Sequence, residues 1–238
     1  MGQQNFGPQH IIYLVVSFAL IFFFWWLCAK KLKTQEARDK YIRISAICLI
    51  PFIALNRYLI HYYLARPFMP QSWCAVTGLL FALCLIFEKK DGYLLQYFAP
   101  AAVLSGFFPT FFGDYLNEGY TFGWDTLFFP PTFTSLIYHS FMFYLGVQCF
   151  MFGYVHIDIK KIYMVPIGYG VEILYGLIYL HFYPDGYTDA LGKTLNVMNI
   201  NKPALLFFDA KVIFVLVLIV AAIGYPLYEY LRKRITSK

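Results

Sequence analysis

The sequence predicts an all-α polytopic membrane protein: one bundle of seven transmembrane helices, N-terminus outside and C-terminus inside. Three observations carry this expectation. Of the 238 residues, 60% are hydrophobic and only 13% charged, whereas soluble domains average about 45–50% and about 25%. Apolar stretches long enough to cross a bilayer recur along the whole chain. Lysine and arginine fall between those stretches, mostly on one set of alternate connections. The same figures exclude disorder and a water-soluble globule, because too little polar surface exists to cover one. No polar block of domain size interrupts the pattern, so residues 1–238 read as a single integral membrane domain.

A spanning helix needs about 20 mostly apolar residues. Seven stretches qualify: Ile11–Ala29, Ile44–Leu64, Ser72–Phe87, Tyr93–Phe112, Thr132–Gly153, Ile162–Phe182 and Leu205–Tyr230. Their length favours helices over buried strands, and lipid requires each segment to satisfy its own backbone. The first stretch follows Met1–His10, which contains no lysine or arginine, and is followed by Lys30, Lys31 and Lys33. With no basic leader and no small-residue cleavage pattern, a retained helix is expected.

The basic residues orient the bundle. The loop after the first helix carries Lys30, Lys31, Lys33, Arg38, Lys40 and Arg43. Lys89 and Lys90, Lys160 and Lys161, and the tail residues Arg232, Lys233, Arg234 and Lys238 fall on the same side. That side holds 14 of the 19 basic residues, and the other holds Arg66, Lys193 and Lys202. The positive-inside rule then places the N-terminus outside and the C-terminus inside. The net charge of +6 thus orients helices and makes no case for nucleic acid. The outer loops Gly113–Pro131 and Tyr183–Pro203 carry Gly, Pro, Asn and aromatics and could lid a cavity.

Ionisable groups at membrane depth are costly and mark candidate sites. Counted from the outer helix ends, Arg57 and His139 each lie about 10 Å deep and Lys211 about 9 Å. Cys74 lies near the outer start of the third helix, Glu172 closest to the midplane, and Asp209 two residues from Lys211. Their shared depth predicts one polar cavity in the outer half. Structural readings stand beside this one: an Arg57–Glu172 ion pair, and Lys211 snorkelling to the interface. His61 shares a helix face with Arg57. His10, His156 and His181 sit at helix ends, where interfacial hydrogen bonds explain them.

Of five cysteines, Cys28, Cys48, Cys84 and Cys149 lie within apolar helices and read as packing. Cys74 differs, since a helix start and a nearby imidazole can make a thiol nucleophilic. No CxxC, HExxH, GxGxxG or phosphate loop occurs, so neither a metal nor a cofactor is expected.

Several landmarks recur in a fixed order along the chain: Phe6-Gly7-Pro8-Gln9-His10 before helix 1, Met69-Pro70-Gln71-Ser72-Trp73-Cys74 at the start of helix 3 and Phe108-Pro109-Thr110 at the exit of helix 4. Tyr138-His139-Ser140 follows in helix 5, and Asn196-x-Met198, Lys202-Pro203 and Asp209 lead into helix 7. This order resembles the bacterial YwaF-like integral membrane proteins, which have a Ser-His-Gly in helix 5. That family is similar, more remotely, to a eukaryotic acyltransferase of ether-phospholipid remodelling. The resemblance implies Cys74 as acyl acceptor and His139 as its base, with Ser72 standing where the family has a histidine.

Two functions follow as expectations. In one, the protein processes membrane lipids by acyl transfer or acyl-ester hydrolysis. Cys74 and His139 would be catalytic; Arg57 or Lys211 would hold phosphate or oxyanion, and Asp209 or Glu172 would orient His139. In the other, it is a non-catalytic membrane subunit that binds a lipid, a solute or another membrane protein. A secondary transporter ranks below both, because the inner helix halves hold few ionisable residues. The resemblance also implies a bacterial plasma membrane.

Overall fold

The computed structural model of the chain describes residues 8–111, 129–186 and 188–189. Those residues form six α-helices and no strand. In chain order they are α1 (Pro8–Lys31), α2 (Gln35–Leu64), α3 (Trp73–Phe87), α4 (Leu95–Phe111), α5 (Pro130–Met151) and α6 (Met164–Phe182). A single 3-10 turn, Ile159–Lys161, precedes α6. The stretch Leu205–Tyr230, with Asp209 and Lys211, lies outside the described residues, as does most of Gly113–Pro131.

Helices α1, α2 and α6 are long and apolar enough to cross a membrane. The others depart from the expected spans for distinct reasons. With 15 residues, α3 is only about 22 Å long, short of a hydrocarbon core of about 30 Å. The 17 residues of α4 include Pro100 and Pro109 and are mostly buried against neighbours. In α5, 22 residues long, Thr132, Thr134, Ser135, His139 and Gln148 are buried and lower its apolar character.

Helix boundaries follow local chemistry. The α2 helix begins nine residues before the expected Ile44, because Thr34 caps it by accepting from Ala37 N at 3.2 Å. Arg38, Lys40 and Arg43 therefore lie on a helix and not in a loop. Gln35 donates to Phe152 O at 2.9 Å, anchoring that polar start to the end of α5. Glu88 caps α4, its two oxygens accepting from Leu94 N and Leu95 N at 3.1 and 3.0 Å. Ala65 ends α2 in the left-handed conformation, φ 53°, with its N–H bonded to His61 O.

Short connections make successive helices antiparallel, so one end of the bundle gathers Lys30, Lys31, Lys33, Lys89, Lys90, Lys160 and Lys161. This is the basic end. At the centre, α4 packs against α3, α5 and α6, while α2 packs against α3 and α5. Close approach of α4 to α5 depends on Gly106: a Cβ there would stand 2.6 Å from His139 O and 2.7 Å from Phe143 Cα. Small residues at helix contacts let backbones approach and gain dispersion where lipid offers no hydrophobic drive. Around them Phe81, Leu85, Phe98, Ala102, Met142 and Leu145 are wholly buried. By contrast α1 touches mainly α5 and exposes Ile11, Val15, Leu20, Phe22 and Trp26.

The basic end is latched by paired polar groups. Asp91 accepts from His156 N, and its Oδ1 also lies 3.0 Å from His156 Nδ1. Gln96 donates to His156 O and accepts from Asp158 N, at 3.2 and 2.9 Å. Lys161 donates to Asp91 O and lies over the Tyr93 ring. His156, read from the sequence as a helix-end residue, is thus the joint between two loops.

Candidate functional site

Three helices meet at Gly78. A Cβ there would stand 2.9 Å from Met142 Sδ of α5 and 3.4 Å from Ile53 Cδ1 of α2. Moving one helical turn away from the basic end reaches Cys74 on α3, His139 on α5 and Arg57 on α2. Each lies three or four residues from its member of the contact, hence on the same helix face. These three residues therefore share a level and a side. His139 and Arg57 are buried, and Cys74 is half-buried.

His139 is held by its own helix. A carbonyl only accepts, so Nδ1 carries the proton and donates it to Ser135 O at 2.7 Å. The ring lies against Tyr138, centroids 4.0 Å apart. That leaves Nε2 as the ring nitrogen with a lone pair. Cys74 occupies the first turn of α3. Ser72 caps this helix by accepting from Ala75 N at 3.4 Å, and Asp189 Oδ2 accepts from Trp73 N at 2.8 Å. Ser72 thus acts as the helix cap.

Arg57 serves the backbone. Its Nη2 donates to Pro67 O at 2.6 Å and its Nε to Phe68 O at 3.3 Å, tying α2 to the connection before α3. Among the described residues no ion pair joins it to Glu172, so the predicted Arg57–Glu172 pair does not form. The loop carbonyls reach the guanidinium first.

Glu172 is wholly buried and accepts from Thr77 Oγ1 at 2.7 Å through Oε1. Its Oε2 has no hydrogen-bond partner. Tyr97 and Trp73 stand beside the same carboxylate as its side-chain hydrogen-bonding neighbours, although neither Tyr97 Oη nor Trp73 Nε1 has a partner at close hydrogen-bond distance. Gly168, one turn before Glu172, makes room for Tyr97, since a Cβ there would stand 2.5 Å from the Tyr97 Cβ. Each orphaned buried polar group costs about 1–3 kcal/mol. Thr77 thus turns to Glu172, whereas Gly78, one residue on, faces α2 and α5.

The remaining titratable residues have separate places. His10 is buried and its Nε2 bonds Thr110 O at 3.3 Å. His61 Nδ1 bonds Arg66 O at 2.7 Å, and His181 is exposed in the last turn of α6. Cys28 lies 3.4 Å from Tyr144 Oη, Cys84 and Cys149 are buried, and Cys48 is exposed. Among the described residues no cluster of three or more His, Cys, Asp or Glu could hold a metal. Sequence reasoning missed Trp73, Thr77 and Tyr97. Thr77 had one legible signal, lying one turn after Trp73 and three residues after Cys74; Tyr97 had none. It also missed the bond between Tyr13 and Ser140, which pins α1 to α5.

No protein-family model, curated protein or solved structure matches the chain.

Proposed function

We propose that the protein is a seven-helix integral membrane protein of the YwaF-like type, N-terminus outside, acting on lipids of a bacterial plasma membrane by cysteine-dependent acyl transfer or acyl-ester hydrolysis. One observation supports this reading above the others: Cys74, His139 and Arg57 share a level one turn beyond the Ile53–Gly78–Met142 contact. A thiol, an imidazole with a lone pair on Nε2 and a guanidinium are the three groups such a reaction needs.

In the reaction, Nε2 of His139 takes the Cys74 proton. The thiolate attacks the ester carbonyl and an S–C bond forms. Collapse of the tetrahedral intermediate breaks the ester C–O bond, and the leaving alkoxide takes the proton back from His139. Attack by a hydroxyl or by water on the thioester then releases the acyl group and restores the thiol. Arg57 N–H groups not used by the loop carbonyls stabilise the oxyanion or bind phosphate.

The test is intact-mass spectrometry of the purified protein mixed with phospholipid, before and after hydroxylamine. A hydroxylamine-labile acyl adduct on Cys74, lost in Cys74→Ala and not formed in His139→Ala, is expected. Absence of any adduct with added lipids overturns the catalytic reading.

A second reading, a non-catalytic subunit binding a lipid or another membrane protein, is favoured by α1. Only 17% of its apolar span is buried, so a broad face remains for lipid or a partner helix. Stoichiometric co-purification of a membrane protein that covers α1 would favour it.

A further inference from the structure

Charge at the basic end is uneven. The passage from α1 into α2 carries Lys30, Lys31, Lys33, Arg38, Lys40 and Arg43 against Glu36 and Asp39. The connections around Asp91 carry Lys89, Lys90, Lys160 and Lys161 against Glu88, Asp91 and Asp158. The first group thus has four positive charges in excess and the second has one. Arg38 donates to Leu32 O at 2.9 Å and Arg43 to Tyr154 Oη at 3.3 Å, which fixes the passage in place. Lys30, Lys31, Lys33 and Lys40 are exposed. The surface beside them is apolar. Trp26 is 54% exposed, and Lys30 Nζ lies 4.1 Å from its ring centre. Phe23, Trp26 and Lys30 recur at helical spacing and form one stripe along α1. Lys40, Ile44 and Ile47 form a second stripe along α2, with both isoleucines exposed. Phe24 and Cys28 lie on the opposite side of α1, against Tyr144 of α5. Each stripe therefore sets a cation above an apolar surface that the bundle leaves uncovered.

We propose that the passage from α1 into α2 binds an anionic phospholipid, with Lys30, Lys31, Lys33 and Lys40 on its phosphate and the Trp26 and Ile44–Ile47 stripes along its acyl chains. An acidic peptide matches the charge but leaves the stripes bare. A zwitterionic lipid matches the stripes but brings no net charge. An anionic amphiphile meets both. Lysines at the end of an apolar span reach the headgroup level, where a negative lipid surface attracts them. Helices α1 and α2 are both long and apolar enough to span a membrane, so their shared end meets headgroups. The site needs none of the Cys74 chemistry.

The test is native mass spectrometry of the full chain, titrated with dioleoyl phosphatidylglycerol or dioleoyl phosphatidylcholine, which share tails and differ in charge. Saturable adducts of phosphatidylglycerol, at least about tenfold tighter than those of phosphatidylcholine, are expected. A triple variant, Lys30→Gln with Lys31→Gln and Lys33→Gln, should weaken them by more than about tenfold, because each lysine near an anionic surface contributes roughly fivefold. A second triple variant, Lys89→Gln with Lys90→Gln and Lys160→Gln, removes the same charge and should weaken them by less than about twofold. Equal affinity for the two lipids overturns the proposal. Displacement by an equal concentration of glycerol 3-phosphate, which has the charge and no tail, also overturns it. Both results are read on the unmodified protein. Equal weakening in the two triple variants overturns it as well, because the whole basic end would then be the attractor.

Discussion

The connections at the basic end and the interiors of the helices treat polar groups differently. At the connections, Glu88, Asp91, Gln96 and His156 each bond at least two partners or join two loops. Within the helices Glu172, Tyr97, Trp73, Tyr179 and Gln148 each leave a buried polar atom with no partner at hydrogen-bond distance. A satisfied network rigidifies, while an incompletely satisfied one carries a standing cost. The comparison teaches where the helices are held in register: at the connections of the basic end.

This contrast can be broken first within the helices. Gly106→Ala would drive a methyl into the α5 backbone beside His139, which has no flexible side chain to yield. Loss of about 3 kcal/mol is expected, the upper range for overpacking, read as a lower unfolding midpoint in detergent. A midpoint within the error of the parent would mean that α4 and α5 separate freely. At the basic end, Glu88→Ala removes the acceptor of two helix-start N–H groups. A destabilisation of about 2 kcal/mol is expected from two charge-assisted bonds, with faster hydrogen exchange at Leu94 and Leu95. Unchanged exchange there would refute the latch.

Tyr97→Phe sharpens the comparison because its sign is reversed. Deleting a hydroxyl with no partner at close hydrogen-bond distance removes a desolvation cost, so a gain of up to about 1 kcal/mol is expected. Marked destabilisation would show that the hydroxyl already has a partner. The smallest effect belongs to Ala65→Gly, where glycine relieves a left-handed residue at the end of α2. A gain of about 0.5–1 kcal/mol is expected, and a loss would locate a packing role for the Ala65 methyl.

Much of the helical plan was legible because apolar length is a strong local signal. The ends of α3 at Phe87 and of α2 at Leu64 lie where the apolar runs stop. The start of α2 was not legible, because Gln35–Arg43 is polar and its helix is held by a cap and by Phe152, far along the chain. Position along a helix was read by residue count, which set Arg57 and His139 about 10 Å from the outer helix ends and Cys74 nearer the start of its helix. Azimuth was not. Nothing in the chain announced that Arg57 would turn to the Pro67 and Phe68 carbonyls, or that Glu172 would face Thr77.

The sequence by itself determined that the chain is helical and apolar and at what heights its scarce polar groups stand. Composition and rise per residue act locally, so they need no knowledge of neighbours. Only the tertiary structure decided which groups meet. Helix rotation about the long axis is set by contacts such as Gly78 with Met142, Gly106 with His139 O and Gly168 with Tyr97. Those close approaches set Gly78 of α3 against α2 and α5 and Thr77 against Glu172 of α6.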